Sequence, residues 1–293
     1  MSTTQRSDLI LPDVLAEEFS KGIAGMNALY GSGVFTLNPG LQAGKDQEGQ
    51  DVTVPYFESI GKAQQVPVSG ALTPKKLTMS SETATVIHLG DAVSTSGWAK
   101  RAKSQGRDVN EVAAEQLVAG FKAKVDDLMA DSLIARGVSS SMLVDGSGHT
   151  FGVSDIVDTQ KKFGDELASN GGIRLWVMQS KPYWDAATLS DSTGRPLLVP
   201  VAGDDLMRIG NKPVMMSDRS TYLVPSASPS QYYTVAAKAG AGAIWFNENI
   251  QIEMDRDTLA DADLLIYHVY LAVHTYSVMN GGTKAGVAAV KTL

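Results

Sequence analysis

Hydrophobic residues recur along this chain in three different rhythms. Over residues 108–136, "DVNEVAAEQLVAGFKAKVDDLMADSLIAR", Ala113, Leu117, Phe121, Val125, Leu128, Met129 and Leu133 follow steps of three and four, while Glu115, Lys122, Asp126 and Arg136 take the other faces. That period predicts one long amphipathic helix, N-capped by Asp108 with Glu111 three residues on, and with Gly137 just past its end. At about 1.5 Å per residue it spans roughly 40 Å, the width of a small domain.

In "DADLLIYHVYLAVHTYSV", residues 261–278, the period drops to two. Leu264, Ile266, His268, Tyr270, Ala272 and His274 share one face of the predicted strand, and Leu265, Tyr267, Val269, Leu271 and Val273 share the other. Both faces carry apolar bulk, so both are expected to be covered. Residues 250–254 alternate in the same way, and residues 232–247 read as strand, Gly/Ala turn, strand. Residues 152–246 alternate helix and strand signals. They predict a helix at 154–167 capped by Ser154, a buried strand at 173–178, a second helix that Pro182 starts, a strand in "GNKPVMMSDR", and a loop in "LVPSASPSQ".

The third rhythm is weak. Between residues 51 and 93 the apolar positions Val52, Val54 and Tyr56 give way to polar residues on both faces, and Pro55, Pro67 and Pro74 interrupt any continuous ladder. The pattern predicts a long hairpin with an outgoing strand near 52–60, a tip at Gly70 and Pro74, and a return over 83–93. A two-stranded hairpin is marginal by itself, so its missing surface is expected from outside its own sequence. The first fifty residues are broken by Gly and Pro and hold one short predicted helix, residues 13–29, in which Val14, Phe19, Ile23 and Met26 recur. They read as an extended arm that orders on another surface.

Composition narrows the function classes. The 293 residues are 43% hydrophobic and 19% charged, and the charged share, below the typical ~25%, leaves room for subunit contacts. A net charge of −7 provides no global basic field to hold nucleic acid by counterion release, so any association with DNA is expected by containment only. The chain has no cysteine, which excludes disulfides, thiolate metal sites and thiol catalysis and fits a reducing compartment. The first apolar cluster, residues 9–11, is short and broken by Pro12, so neither a signal peptide nor a membrane partner is expected, and the chain reads as a soluble cytoplasmic product.

Catalytic motifs fail on spacing. "GLQAGKD" has three residues between its glycines where a phosphate loop has four, and Asp46 stands at the Ser/Thr position. "GAGAIW" lacks the third glycine of a dinucleotide fingerprint and sits between strands. Asp255, Asp257, Asp261 and Asp263 suggest calcium, but Ala260 occupies the position of the EF-hand glycine and the late glutamate is missing, which favours a solvated turn. The four histidines, His88, His149, His268 and His274, show no paired-ligand spacing, and no serine sits in a nucleophile elbow. No catalytic residue, metal site or cofactor is assigned. A hydrolase or calcium-dependent enzyme on the α/β unit would need convergent polar groups around His149, Asp155 or the aspartate cluster.

The order of the pieces says more than any one of them. "GQDVTVPYF", "LTMSSETATVIHLGDAVSTS", "EVAAEQLVAGFKAKVDDLMADSLI", "GNKPVMMSD", "AGAGAIWFNENIQIEMDRD" and "LLIYHVYLAVHTYSV" succeed one another as arm and flap, long helix, α/β unit and returning strands. Taken in that order, nearly the whole chain resembles the major capsid proteins of tailed bacteriophages, with the Hong Kong 97-type fold. The resemblance implies an α+β chain with an N-terminal arm at residues 1–50 and an extended loop, a β-hairpin, at 51–90. A peripheral domain would comprise 91–151 and 247–280, including the spine helix, and an axial α/β domain 152–246 and 281–293.

It further implies a structural protein, not an enzyme, that self-assembles into an icosahedral shell of pentamers and hexamers around the double-stranded phage genome. Its place would be the virion capsid, assembled in the host cytoplasm, with scaffolding, portal and decoration proteins as candidate partners. The resemblance also implies that neighbouring copies supply the surface the hairpin lacks. Candidate intersubunit contacts are Val54, Tyr56, Lys75 and Lys76 in the flap and Phe35 and Leu37 in the arm. Some members of that family weld their shells through Lys and Asn; here Lys62, Lys75, Lys76 and Asn280 form no identifiable reacting pair, and no crosslink is expected. An encapsulin-like compartment shell is the alternative on the same fold.

Overall fold

Two five-stranded sheets with one long helix between them form the body of the protein, and a two-stranded hairpin lies across the outer face of one sheet. The computed structural model describes residues 28–38, 49–59, 61, 63, 65–66, 70, 72, 74–96, 109–190, 208–209, 212–218, 230–246, 251–257, 261–279 and 282–293. Most of the expected helix at 13–29, the Asp108 cap, the "GLQAGKD" turn, most of "LVPSASPSQ", Lys62 and Asn280 lie outside them.

A single turn, α1 (Ala28–Gly31), precedes β1 (Phe35–Asn38). The hairpin is β2 (Asp51–Phe57) and β3 (Met79–Thr85), paired antiparallel from Asp51 with Thr85 to Phe57 with Met79. The return strand expected at 83–93 is split at Val86, which is fully buried. Before it, β3 pairs with β2; after it, β4 (Ile87–Ser96) pairs antiparallel along β11 (Ala262–Thr275). One continuous β-rich sequence therefore serves two sheets, a division its composition does not mark.

The first body sheet is built on β11. β4 runs along one of its edges, and β10 (Gln251–Asp257) and β9 (Gly242–Phe246) share the other, with β1 parallel to β9 at the margin. The second sheet has the order β5 (Leu143–Gly146), β12 (Val287–Thr292), β8 (Tyr232–Lys238), β6 (Ile173–Met178), β7 (Val214–Met216). The strand, turn and strand at 232–247 are present as expected, but β8 and β9 are not partners. The three residues between them carry the chain from one sheet to the other.

The long helix is α2 (Val109–Ser139), three residues longer at its C-terminal end than its period suggested. Gly137 is thus inside the last turn and not past it. A Cβ there would lie 2.6 Å from the Cβ of Ala289, so the bare backbone lets the helix end press onto β12. Phe121, Val125, Met129 and Leu133 are buried beneath α2. They meet Leu265, Tyr267, Val269 and Leu271 of β11 on one side and Leu175, Val177, Val235, Ala237, Val287 and Ala289 of the second sheet on the other, as one core. Alternate residues of those strands face away and seed two further cores, as a period of two dictates.

Beyond the second sheet, Trp176, Met178, Ala236, Ala288 and Val290 pack with Phe163 of α3 (Val153–Phe163) and with Tyr183 and Ala186 of α4 (Ser180–Ala187). The cap of α3 differs from expectation. Gly152 is the N-cap, and Asp155, not Ser154, is the capping side chain, accepting the Gly152 N–H at 2.8 Å. A 3-10 segment, Gly164–Gly171, follows the helix. Beyond the first sheet, Ala243, Trp245 and Ala272 pack with Val52, Val54, Ala84 and Val86 of the hairpin.

Candidate assembly surface and its anchorage

The hairpin divides into a held base and a projecting end. Its base rests on the chain's own sheet through Val52, Val54, Ala84 and Val86, so the expectation that sister copies alone shape it does not hold for this half. The physical reason is register. The weak alternation of β2 aims Val52 and Val54 at the small side chains Ala243 and Ala272, and the close fit supplies the surface the hairpin lacks. Towards the tip that supply ends. Phe57, Leu72, Leu77 and Met79 are 50%, 71%, 56% and 63% exposed, a concentration of large apolar side chains in one projection that marks a contact surface more than a monomer's exterior.

The base is also pinned by polar contacts. Glu82 of β3 points into the junction of three elements. Its carboxylate accepts the Nε2 proton of His274 at 2.5 Å, an Nη2 proton of Arg136 from α2 at 3.2 Å, and the backbone N–H and hydroxyl of Ser277. Arg136 is itself fixed, its Nε donating to the carbonyl of Thr275 at 3.0 Å. Burial alone would raise the Glu82 pKa, but the Ser277 and His274 hydrogen bonds and the Arg136 charge outweigh it and hold the carboxyl below the ordinary value. Burial holds the His274 imidazole below its ordinary value, with the Glu82 contact pulling it back up in part.

Of the six expected contact residues, Val54 and Phe35 are buried in the chain's own cores, at 5% and 3% exposure. The alternation of β2 and the cover of Gly242 by the Phe35 ring place them inside, which corrects their assignment as outward contacts. Leu37 is exposed and Tyr56 half-buried. Tyr56 lines a groove of about 590 Å³ with Thr36, Phe57, Tyr276 and Met279, between the far end of β2 and the β8–β9 turn. Lys75 and Lys76 are exposed near the tip. Neither Glu82 nor Ser277 stands out in the sequence, and Arg136 reads there only as a residue on a polar face of the helix. Glu82 stands in a run of polar strand residues with nothing local to separate it from its solvated neighbours.

Of the residues named for enzyme alternatives, His149 bonds Asp155 at 2.9 Å beside the α3 cap, while Asp261 and Asp263 pair with Arg256 at the adjoining ends of β10 and β11. Among the described residues no group of three or more His, Asp or Glu side chains could hold a metal ion, and no described helix is long and apolar enough to cross a membrane.

No protein-family model matches the sequence, and no curated protein sequence matches it. The fold does find matches. A chain in the structure of Microbacterium phage Oxtober96 superposes with a TM-score of 0.66 over 92% of both chains at 14% identity. The chain has a capsid-like α+β fold. A chain of the capsid of the native GTA particle aligns at TM-score 0.63 and 15% identity, covering 90% of this chain and 89% of its own. One from the capsid of Ralstonia phage GP4 aligns at TM-score 0.59 and 10% identity, covering 91% and 89%. The correspondence runs nearly end to end in each case, so the likeness is to a whole capsid chain and not to one embedded motif.

Proposed function

We propose that this chain is the major capsid protein of a tailed phage, a structural subunit of Hong Kong 97 type that assembles into an icosahedral shell of pentamers and hexamers around double-stranded DNA. The observation that carries this reading is the near end-to-end match to phage and GTA capsid chains, supported by a hairpin whose distal apolar side chains are exposed. In this reading α2 is the spine helix. The sheet on β11 belongs to the peripheral domain, the sheet on β8 and β12 to the axial domain, and residues 51–90 are the extended loop. In the same reading β5 is taken with the axial sheet and β9 with the peripheral sheet, because they pair with β12 and β11, so the proposed boundaries differ from those expected at residues 151 and 246.

The role is architectural, and the negative chain encloses DNA without gripping it. Leu37, Tyr56, Lys75 and Lys76 are the contact candidates that stay available at the surface. Scaffolding, portal and decoration proteins are the expected additional partners, and assembly takes place in the host cytoplasm. An encapsulin-like compartment has no observation in its favour. Size-exclusion chromatography with negative-stain imaging of the purified chain tests the proposal. Shells or capsomer rings are expected, and a monodisperse monomer at concentrations where capsid subunits assemble overturns it.

A further inference from the structure

We propose that Glu82, His274 and Arg136 form an acid-releasable catch that holds the base of the β2–β3 hairpin against the body, closed at neutral pH and opened by protons. The catch is built into a single subunit and stands apart from the assembly reading. Its three members come from β3, β11 and α2, so the contact joins the hairpin to both the sheet and the helix beneath it. Glu82 and His274 are largely enclosed, with side chains 14% and 10% exposed. Within β3 itself the apolar anchorage is small, since Ala84 is the one buried residue of that strand, with Val52 and Val54 on β2 and Val86 just beyond its end. The polar contact is therefore a large fraction of what holds this strand down.

Burial sets the direction at His274, and the groups facing it adjust that effect. Glu82 approaches from β3, Arg136 from α2, the Tyr276 ring lies edge-on at 5.9 Å, and β9 presents only Ala243 opposite it. Burial pushes the Tyr276 phenol above its ordinary value, so it stays neutral throughout. At neutral pH one carboxylate therefore balances one guanidinium, with a neutral imidazole donating to the carboxylate. Protonation of His274 sets a second cation beside Arg136 in an enclosed space. Protonation of Glu82 removes the acceptor on which all the donors converge. Both groups are depressed below their ordinary values of 6.5 and 4.5. Their contribution to the closed form is complete above 6.5 and is lost as the pH falls through the lowered values of the two groups.

Hydrogen exchange of the full chain, read on peptides of β3 and corrected for the intrinsic pH dependence of exchange, tests the catch. Protection of β3 should fall between about pH 7.5 and about pH 5, while protection of α2 holds. His274→Gln keeps a neutral donor and should retain β3 protection at the lower pH. Glu82→Gln should lose it already at the higher one. Equal β3 protection of the unaltered chain at both pH values overturns the proposal, as does a His274→Gln profile that follows the unaltered one. If Glu82→Gln lowers α2 protection as well, it has failed to fold, and the His274→Gln comparison decides.

Discussion

Glu82 shows why single positions in this chain carry more than their sequence context suggests. It sits in "TMSSETAT", a run that reads as solvated strand, yet its carboxylate gathers donors from residues 54 to 195 positions away. No pattern within one strand can reveal such a site, because its partners come together only when three elements are in place. Core positions were legible by contrast. Phe121 was named from helical spacing and is 1% exposed, in edge-to-face contact with Tyr267 at 6.0 Å. Phe121→Ala should cost about 3–5 kcal/mol, read as a lowered urea midpoint at unchanged slope. Gly242 is a second sensitive point. A Cβ there would fall 2.5 Å from the Phe35 ring and 2.7 Å from the His274 carbonyl. Gly242→Ala should therefore detach β1 from β9, visible as lost exchange protection over residues 35–38 with the second sheet unaffected.

At the scale of elements, α2 and β11 were readable because each repeats one period over many residues. Their ends were less so. Gly137 looked like a stop signal and is instead a point of close approach to β12, a role that depends on a strand about 150 residues later. The split of β3 from β4 at Val86 was equally hidden, since both halves have strand-forming residues and only pairing partners tell them apart. The hairpin was correctly read as short of hydrophobic surface, but its base finds that surface on the chain's own β9 and β11. The distal half is where the deficit remains. Replacing Leu72 and Leu77 together by Ser should leave the unfolding free energy from urea titration within about 0.5 kcal/mol of the original and lower the assembled fraction in size-exclusion chromatography. A large loss of subunit stability would show that these residues serve the fold and not assembly.

At the scale of the whole molecule the chain is layered. Hairpin, sheet, helix, sheet and paired helices follow one another, with an apolar seam at each boundary. Electrostatics close the layers at their rims. Glu166, in the 3-10 segment, accepts the backbone N–H and hydroxyl of Thr283 at 2.7 Å each. Burial would raise its pKa, but the Thr283 contacts and the Lys238 charge hold it below the ordinary 4.5. Stability from this contact is present above 4.5 and lost as the pH falls through the folded value. Glu166→Gln should thus lower the denaturation midpoint at neutral pH and flatten its decline in acid, measured by urea titrations across that range.

The three residues that carry the chain from β8 to β9 have a mechanical consequence. With so short a bridge, and with α2 bonded by packing to both sheets, neither sheet can rotate far without dragging the other. In the proposed shell the body would then act as a stiff tile, and any adjustment to different curvature would fall to the parts that overhang the tile's edge.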